Sequence, residues 1–148
     1  KLTLVGDGPE LDYLQSLIHK HSIEDNVEII LWVERKELMK MMKTASVMLF
    51  PSHEGAGMVV AEAFSFALPV VCLDNIGPGE YVTPDSGIAI PIQSYNNTTS
   101  ELARMLHMLH NDKEELLRLS LGARERFQNT FHWDKRGDWL KDIYDKIT

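Results

Sequence analysis

The chain has 148 residues, of which 44% are hydrophobic and 25% charged, as expected for a single compact domain with a hydrophobic core. Its net charge of −7 argues against a general affinity for nucleic acid, and no apolar run is long enough to cross a bilayer. The single cysteine, Cys72, lies in an apolar run and cannot form an internal disulfide, which predicts a buried, unreactive thiol and a cytoplasmic protein.

Apolar runs and helical repeats alternate along the first 90 residues. The runs predict strands at residues 2–5, 27–31, 47–50, 69–73 and 88–90. The repeats predict helices after Pro9, over 34–44 and over 57–67. The strands are short, apolar on both faces and rich in Val, Ile and Leu, which is typical of a parallel sheet covered by helices. The predicted fold class is therefore α/β, with a doubly wound, Rossmann-like parallel sheet.

The last third of the chain has helical periodicity throughout. Residues 98–101, Thr-Thr-Ser-Glu, have the form of a capping box that opens a helix, and Asp112 with Glu115 repeats that signal. A final helix carries apolar residues at 139, 140, 143 and 144. The sequence contains no internal repeat, so one domain over residues 1–148 is expected.

In an open parallel sheet, ligands bind at the carboxyl ends of the strands. Four loops are predicted there, at residues 6–9, 32–35, 51–57 and 74–80, and three of them are rich in glycine. Because glycine has no side chain beyond its α-carbon, these loops allow backbone N–H groups to approach a ligand closely.

The segment 51–63 is the most informative of these regions. Its helix would begin near Gly57, so the free N–H groups of Gly57, Met58 and Val59 and the helix dipole would form an anion site. Glu54 and Glu62 flank that site and would repel a phosphate unless they bind sugar hydroxyls, which carboxylates accept well. The pattern predicts a ligand made of sugar, diphosphate and ribose.

A plainer interpretation of the two carboxylates stays open. Glu is common, so Glu54 could cap the helix and Glu62 could be exposed to solvent. The apolar residues around Glu62 favour a partner for it, because an unpaired charge in such surroundings is costly.

In order along the chain, several segments resemble the C-terminal domain of family 4 glycosyltransferases with the GT-B fold. They lie at residues 5–9, 26–27, 51–63, 68–71, 77–80 and 131–144. The resemblance implies two Rossmann-like domains in the full enzyme. The C-terminal one binds a nucleotide-diphospho sugar, the N-terminal one binds the acceptor, and transfer retains the anomeric configuration without a metal or other cofactor.

The resemblance also assigns roles to individual residues. Glu54 would contact the donor sugar as the catalytic carboxylate, and the backbone of Gly57, Met58 and Val59 would bind the diphosphate. Glu62 would hold the ribose hydroxyls. Val33 and Glu34 match the loop that touches the base, although Glu34 could simply begin the helix that follows it.

Other features of the family pattern are absent from these 148 residues. The resemblance places a basic Arg–Lys pair in a βα unit upstream of Lys1 and the acceptor domain before that, so the fragment alone is expected to be inactive. A peripheral contact with the inner face of a membrane through that missing domain is compatible with the family. The sequence also departs from the pattern at Leu31 and Ala67, where the family often has Gly, and at the bulky Trp32.

Two other functions are compatible with the same features. One is a nucleotide-sugar 2-epimerase, which shares the two-domain architecture, and the other is a non-catalytic scaffold.

His107 and His110 lie three apart on one helix, but no further ligand completes a metal site, so a surface pair is expected. His53 could line the site or be an ordinary loop residue.

Overall fold

The computed structural model describes residues 1–53 and 55–147. The chain forms two compact units, the first spanning Lys1–Met41 and the second Met42–Thr148. The single domain expected from the sequence stays a prediction.

The first unit is built on two parallel strands, β1 (Leu2–Val5) and β2 (Val27–Ile30), paired from Leu2 opposite Val27 to Val5 opposite Ile30. The connection between them contains helix α1 (Leu11–Lys20) and a short 3-10 turn (Glu24–Asn26). Such a crossover is what a parallel strand pair requires. Helix α2 (Arg35–Thr44) follows and continues across the boundary between the units.

The second unit contains a three-stranded parallel sheet in the order β3-β4-β5. Its strands are β3 (Met48–Phe50), β4 (Val70–Leu73) and β5 (Gly87–Ile90). Its helices are α3 (Met58–Ser65), α4 (Pro78–Tyr81), α5 (Tyr95–Asn111), α6 (Lys113–Arg126) and α7 (Trp133–Ile147). A π-helical turn (Phe127–Phe131) separates α6 from α7.

Part of the core of the second unit forms where α5 and α6 cover the sheet. All four residues of β4 are buried, as expected for the central strand of a covered parallel sheet. A buried cluster joins the strands to these helices and consists of Val71, Ile90, Met105, Leu109 and Leu119. This packing fixes the sheet, and with it the loops at its carboxyl edge.

The structure confirms the α/β class and the parallel pairing predicted from the sequence. All five predicted strands are present within one residue of their expected bounds. The strands of the described residues form two parallel sheets, β1-β2 and β3-β4-β5.

The predicted start of α5 at the 98–101 capping box was also wrong. The helix begins at Tyr95, and the Ser94 hydroxyl accepts the backbone N–H of Asn97 (3.4 Å). Thr98 lies inside the first turn, where its hydroxyl accepts the N–H of Gln93 (3.0 Å). The second capping prediction is confirmed, since the Asp112 carboxylate accepts the N–H of Glu115 (2.9 Å) at the start of α6.

Among the helices of the described residues, none has the length and apolar character required to span a membrane.

Candidate functional site

The N-terminus of α3 is open at the carboxyl edge of the second unit's sheet. Gly57, which precedes the helix, is buried and has a left-handed backbone with φ of +57°. The N–H of Val60 donates to the Gly57 carbonyl (2.9 Å), so the N–H groups of Met58 and Val59 precede that bond and have no acceptor within the helix. No side chain of the described residues caps this end, which leaves a partial positive charge available to an anion.

Glycine is required at position 57 by its surroundings as well as by its φ angle. A β-carbon at this position would lie 2.8 Å from the backbone nitrogen of Pro78 and 3.1 Å from the carbonyl carbon of Gly77. The loop between β3 and α3 therefore packs directly against the loop between β4 and α4.

A side-chain hydrogen bond joins the same two loops. The Asn75 side-chain N–H donates to the Ser52 carbonyl (2.8 Å), although the residues are 23 positions apart. The sequence patterns do not single out Asn75, because a contact over this separation leaves no local signal.

The C-terminal end of α3 is held by side chains from α6. The Ser120 hydroxyl donates to the Ala67 carbonyl (2.7 Å), and the Arg124 guanidinium donates to the Ser65 carbonyl. These bonds satisfy carbonyls that a helix end leaves unpaired, and the positive charge of Arg124 complements the helix dipole. Helix α3 is thus fixed at the end opposite its open N-terminus.

An aromatic contact supports α3 and α4 from the π-helical turn. The Phe131 ring lies 5.0 Å from that of Tyr81 in α4 and 6.3 Å from that of Phe64 in α3, measured between centroids. The guanidinium groups of Arg126 and Arg136 lie 5.6 and 5.8 Å from the Phe131 ring centre, within the range of cation–π attraction. Phe131 therefore ties the final part of the chain to the two helices beside the open edge.

Four of the predicted site residues lie together at the start of α3. Met58 is 59% exposed, whereas Val59 and Glu62 are half-buried and Gly57 is buried. Residues 58 and 62 share one helix face at i and i+4, and helical side chains lean toward the N-terminus. At this spacing the Glu62 side chain is expected to extend toward the N-terminal turn, while its neighbours Ala61 and Ala63 are buried in the core. Glu54, the predicted catalytic carboxylate, lies outside the described residues.

The predicted base-contact residues belong to the first unit. Glu34 is exposed, and its carbonyl accepts the N–H groups of Glu37 (2.9 Å) and Leu38 (3.0 Å), so α2 begins immediately after it. Val33 is half-buried and Trp32 is 73% exposed. Glu34 thus initiates helix α2, and its contact with the base stays a prediction.

The predicted buried state of Cys72 is confirmed. Cys72 is fully buried in β4, and burial, together with the negative charge of Asp74, raises the pKa of its thiol to about 11. Over residues 1–53 and 55–147, no cluster of three or more His, Cys, Asp or Glu side chains is arranged to hold a metal ion.

The sequence profile of the family "Glycosyl transferases group 1" matches residues 1–126. The chain belongs to this family. Among curated relatives, the amylovoran biosynthesis glycosyltransferase AmsD of Erwinia amylovora is 32% identical over 108 residues, which is 72% of this chain and 30% of AmsD.

Solved structures share the fold at lower sequence identity. The sucrose-phosphate synthase of Thermosynechococcus elongatus superposes with a TM-score of 0.78 at 24% identity, over 98% of this chain and 38% of its own. The pneumococcal O-GlcNAc transferase GtfA, solved with UDP and GlcNAc, gives a TM-score of 0.80 at 20% identity, over 97% of this chain and 29% of its own. The chain thus has the α/β architecture of GT-B glycosyltransferases and spans about a third of the length of these proteins.

Proposed function

We propose that this chain is the donor-binding, C-terminal domain of a retaining, family 4 glycosyltransferase. The full-length protein would transfer a hexose from a nucleotide-diphospho sugar to an acceptor glycan, lipid or small molecule. Membership of the group 1 family supports transferase activity. The UDP in the GtfA structure supports a nucleotide-sugar donor, and the amylovoran biosynthesis in the name of AmsD supports a role in polysaccharide biosynthesis.

The open N-terminus of α3 is the observation that carries the proposal. A diphosphate placed there would accept hydrogen bonds from the N–H groups of Met58 and Val59 and would be stabilised by the helix dipole. Gly57 contributes the tight turn that presents these groups, since a larger residue would clash with the next loop. During transfer, negative charge builds up on the departing nucleoside diphosphate, and the same groups would stabilise it.

The carboxylates would bind the sugar portions of the donor. Glu62 is one turn beyond Met58, on the same face, so a ribose bound beside the diphosphate would be within its reach. Glu54 would contact the transferred sugar, and Val33 and Glu34 the base, as the family resemblance implies. Neither a metal nor another cofactor is included in this proposal, because the helix N-terminus supplies the electrostatic stabilisation.

Residues 1–148 alone are proposed to transfer no sugar. Transfer requires donor and acceptor to be held in register, and positioning supplies much of the rate enhancement in such reactions. The acceptor domain and the basic pair of the family would come from the rest of the full-length protein.

The proposal is tested by titrating the full-length protein with UDP and GDP in a calorimeter. Binding of at least one of them is expected, with a marked loss of affinity in Glu62→Ala. Glu114→Ala is a matched control, because Glu114 is an exposed carboxylate in the first turn of α6. Equal affinities for the parent and Glu62→Ala would contradict the assignment of the site.

The alternatives predict different results in the same protein. A scaffold would bind neither nucleotide. A 2-epimerase would convert a nucleotide-sugar without any acceptor, whereas a retaining transferase requires the acceptor and gives a product whose anomeric configuration, read by NMR, matches that of the donor.

A further inference from the structure

Two contacts within the second unit fasten the β3–α3 loop to the β4–α4 loop. At the beginning of the first loop, the Asn75 side-chain N–H donates to the Ser52 carbonyl (2.8 Å). At its end, the Gly57 backbone lies so close to Pro78 that a β-carbon would be 2.8 Å from the Pro78 nitrogen. The loop that leads into α3 is therefore attached at both ends to its neighbour.

The β4–α4 loop is itself firmly held. The Asp74 N–H donates to the Ile90 carbonyl of β5 (2.8 Å), and the Gly77 N–H donates to the Glu80 carboxylate (3.4 Å). Gly79 packs against the end of β4, where a β-carbon would lie 3.0 Å from the Leu73 carbonyl oxygen. This loop is thus a fixed support against which the β3–α3 loop is positioned.

Asn75 contributes to this support although one of its own polar atoms is left without a partner among the described residues. Its side-chain oxygen is buried and has no hydrogen-bond partner in the described part of the chain. An unsatisfied buried acceptor destabilises the folded state, which offsets much of the gain from the bond to Ser52. Replacement of Asn75 should therefore change the unfolding midpoint little, while it releases the beginning of the loop from its neighbour.

We propose that Asn75 is a positioning residue for donor binding. It does not touch the donor. Through Ser52 it holds the β3–α3 loop, and this sets the position of the Met58 and Val59 N–H groups that would receive the diphosphate. The inference rests on the proposed function, because it takes the start of α3 as the diphosphate site.

The test compares Asn75→Ala with the parent in the full-length protein, titrated with UDP and GDP. Loss of the loop contact is expected to weaken binding of the preferred nucleotide about fivefold, the effect of one neutral hydrogen bond. Hydrogen–deuterium exchange should show faster exchange in the peptide that covers residues 51–60. The unfolding midpoint of the variant should stay close to that of the parent.

Ser86→Ala is the matched control. The Ser86 hydroxyl is buried and accepts the N–H of Thr83 (2.9 Å), but it precedes β5 and lies at the amino edge of the same sheet. Its loss should lower the unfolding midpoint and leave nucleotide affinity unchanged. Both residues lie in the second unit, so this variant separates a general loss of stability from the loss of loop position.

The outcomes separate the inference from the proposed function. If the parent binds a nucleotide and Asn75→Ala binds it equally well, the positioning role is wrong and the proposed function stands. A similar loss of affinity in Ser86→Ala would also overturn the positioning role. If the parent binds neither nucleotide, the proposed function fails before any variant is compared, and the positioning role fails with it.

Discussion

The turn that ends α3 gives a stability prediction that follows directly from backbone geometry. Ala67 has a φ of +57°, in the left-handed region that glycine adopts without strain. Its N–H donates to the Phe64 carbonyl (3.0 Å), and the next N–H, of Leu68, donates to the Ala63 carbonyl (3.1 Å). This arrangement resembles the glycine-ended helix turn, with alanine in the position that glycine usually occupies. We therefore expect Ala67→Gly to stabilise the chain.

The magnitude follows from two opposing terms. The left-handed conformation costs a residue with a β-carbon about 1–2 kcal/mol. Glycine gives up part of that gain, roughly 0.5–1 kcal/mol, because the unfolded chain becomes more flexible. Ala67 is only half-buried, so loss of its methyl group removes little packing. The net increase in the free energy of unfolding should be about 0.5–1 kcal/mol.

Urea unfolding followed by circular dichroism measures this difference. Ala103→Gly is the control, because Ala103 is exposed within α5 and has no left-handed strain to relieve. That variant should lose about 1 kcal/mol, the usual penalty of glycine in a helix. Opposite signs for the two substitutions are expected. A loss of stability in Ala67→Gly comparable to that in Ala103→Gly would refute the reasoning.

Three further predictions concern the candidate site and the core thiol. In the full-length protein, Glu62→Ala should weaken nucleoside diphosphate binding by roughly 1.5–3 kcal/mol, the value of a charge-assisted hydrogen bond. Glu54→Ala should instead mainly reduce turnover. Equal losses of affinity for the two variants in calorimetry would contradict these roles. Glu34 should favour GDP over UDP, because a carboxylate accepts both adjacent N–H donors of guanine. Competition binding should show that this preference declines in Glu34→Gln. A preference for UDP in the parent protein would exclude base recognition by Glu34. Cys72 should resist alkylation at about pH 8 until the protein is unfolded, since its pKa of about 11 keeps the folded thiol protonated and unreactive. Mass spectrometry measures the labelling. Rapid labelling of the folded protein would contradict this prediction and show that the thiol is accessible.

The local structure was largely predictable because its signals are local. Each strand is a short apolar run between turn residues, and the Asp112 cap lies within three residues of the N–H that it accepts. The start of α5 was missed because two overlapping capping patterns compete there. The hydroxyl of Ser94 caps the helix, whereas that of Thr98 bonds back to the N–H of Gln93.

Features that depend on distant residues were not predictable in the same way. The division into two sheets is set by which strands pair, and an apolar run in the sequence does not indicate which other strand it pairs with. The open N-terminus of α3 was expected from its glycines, but its attachment through Asn75 was not, because the hydrogen bond to Ser52 spans 23 positions. Gly57 combines a feature that the local sequence predicts with one that depends on distant residues. The sequence predicted its place at the start of the helix, and only the structure shows its contact with Pro78.

The central claim is that the start of α3 binds the diphosphate of a nucleotide-sugar donor. A crystal structure of the full-length protein with its preferred nucleoside diphosphate tests this claim most directly. The account predicts phosphate oxygens within hydrogen-bond distance of the Met58 and Val59 N–H groups and ribose hydroxyls at the Glu62 carboxylate. A nucleotide bound elsewhere, with this helix end in contact with solvent alone, would contradict it.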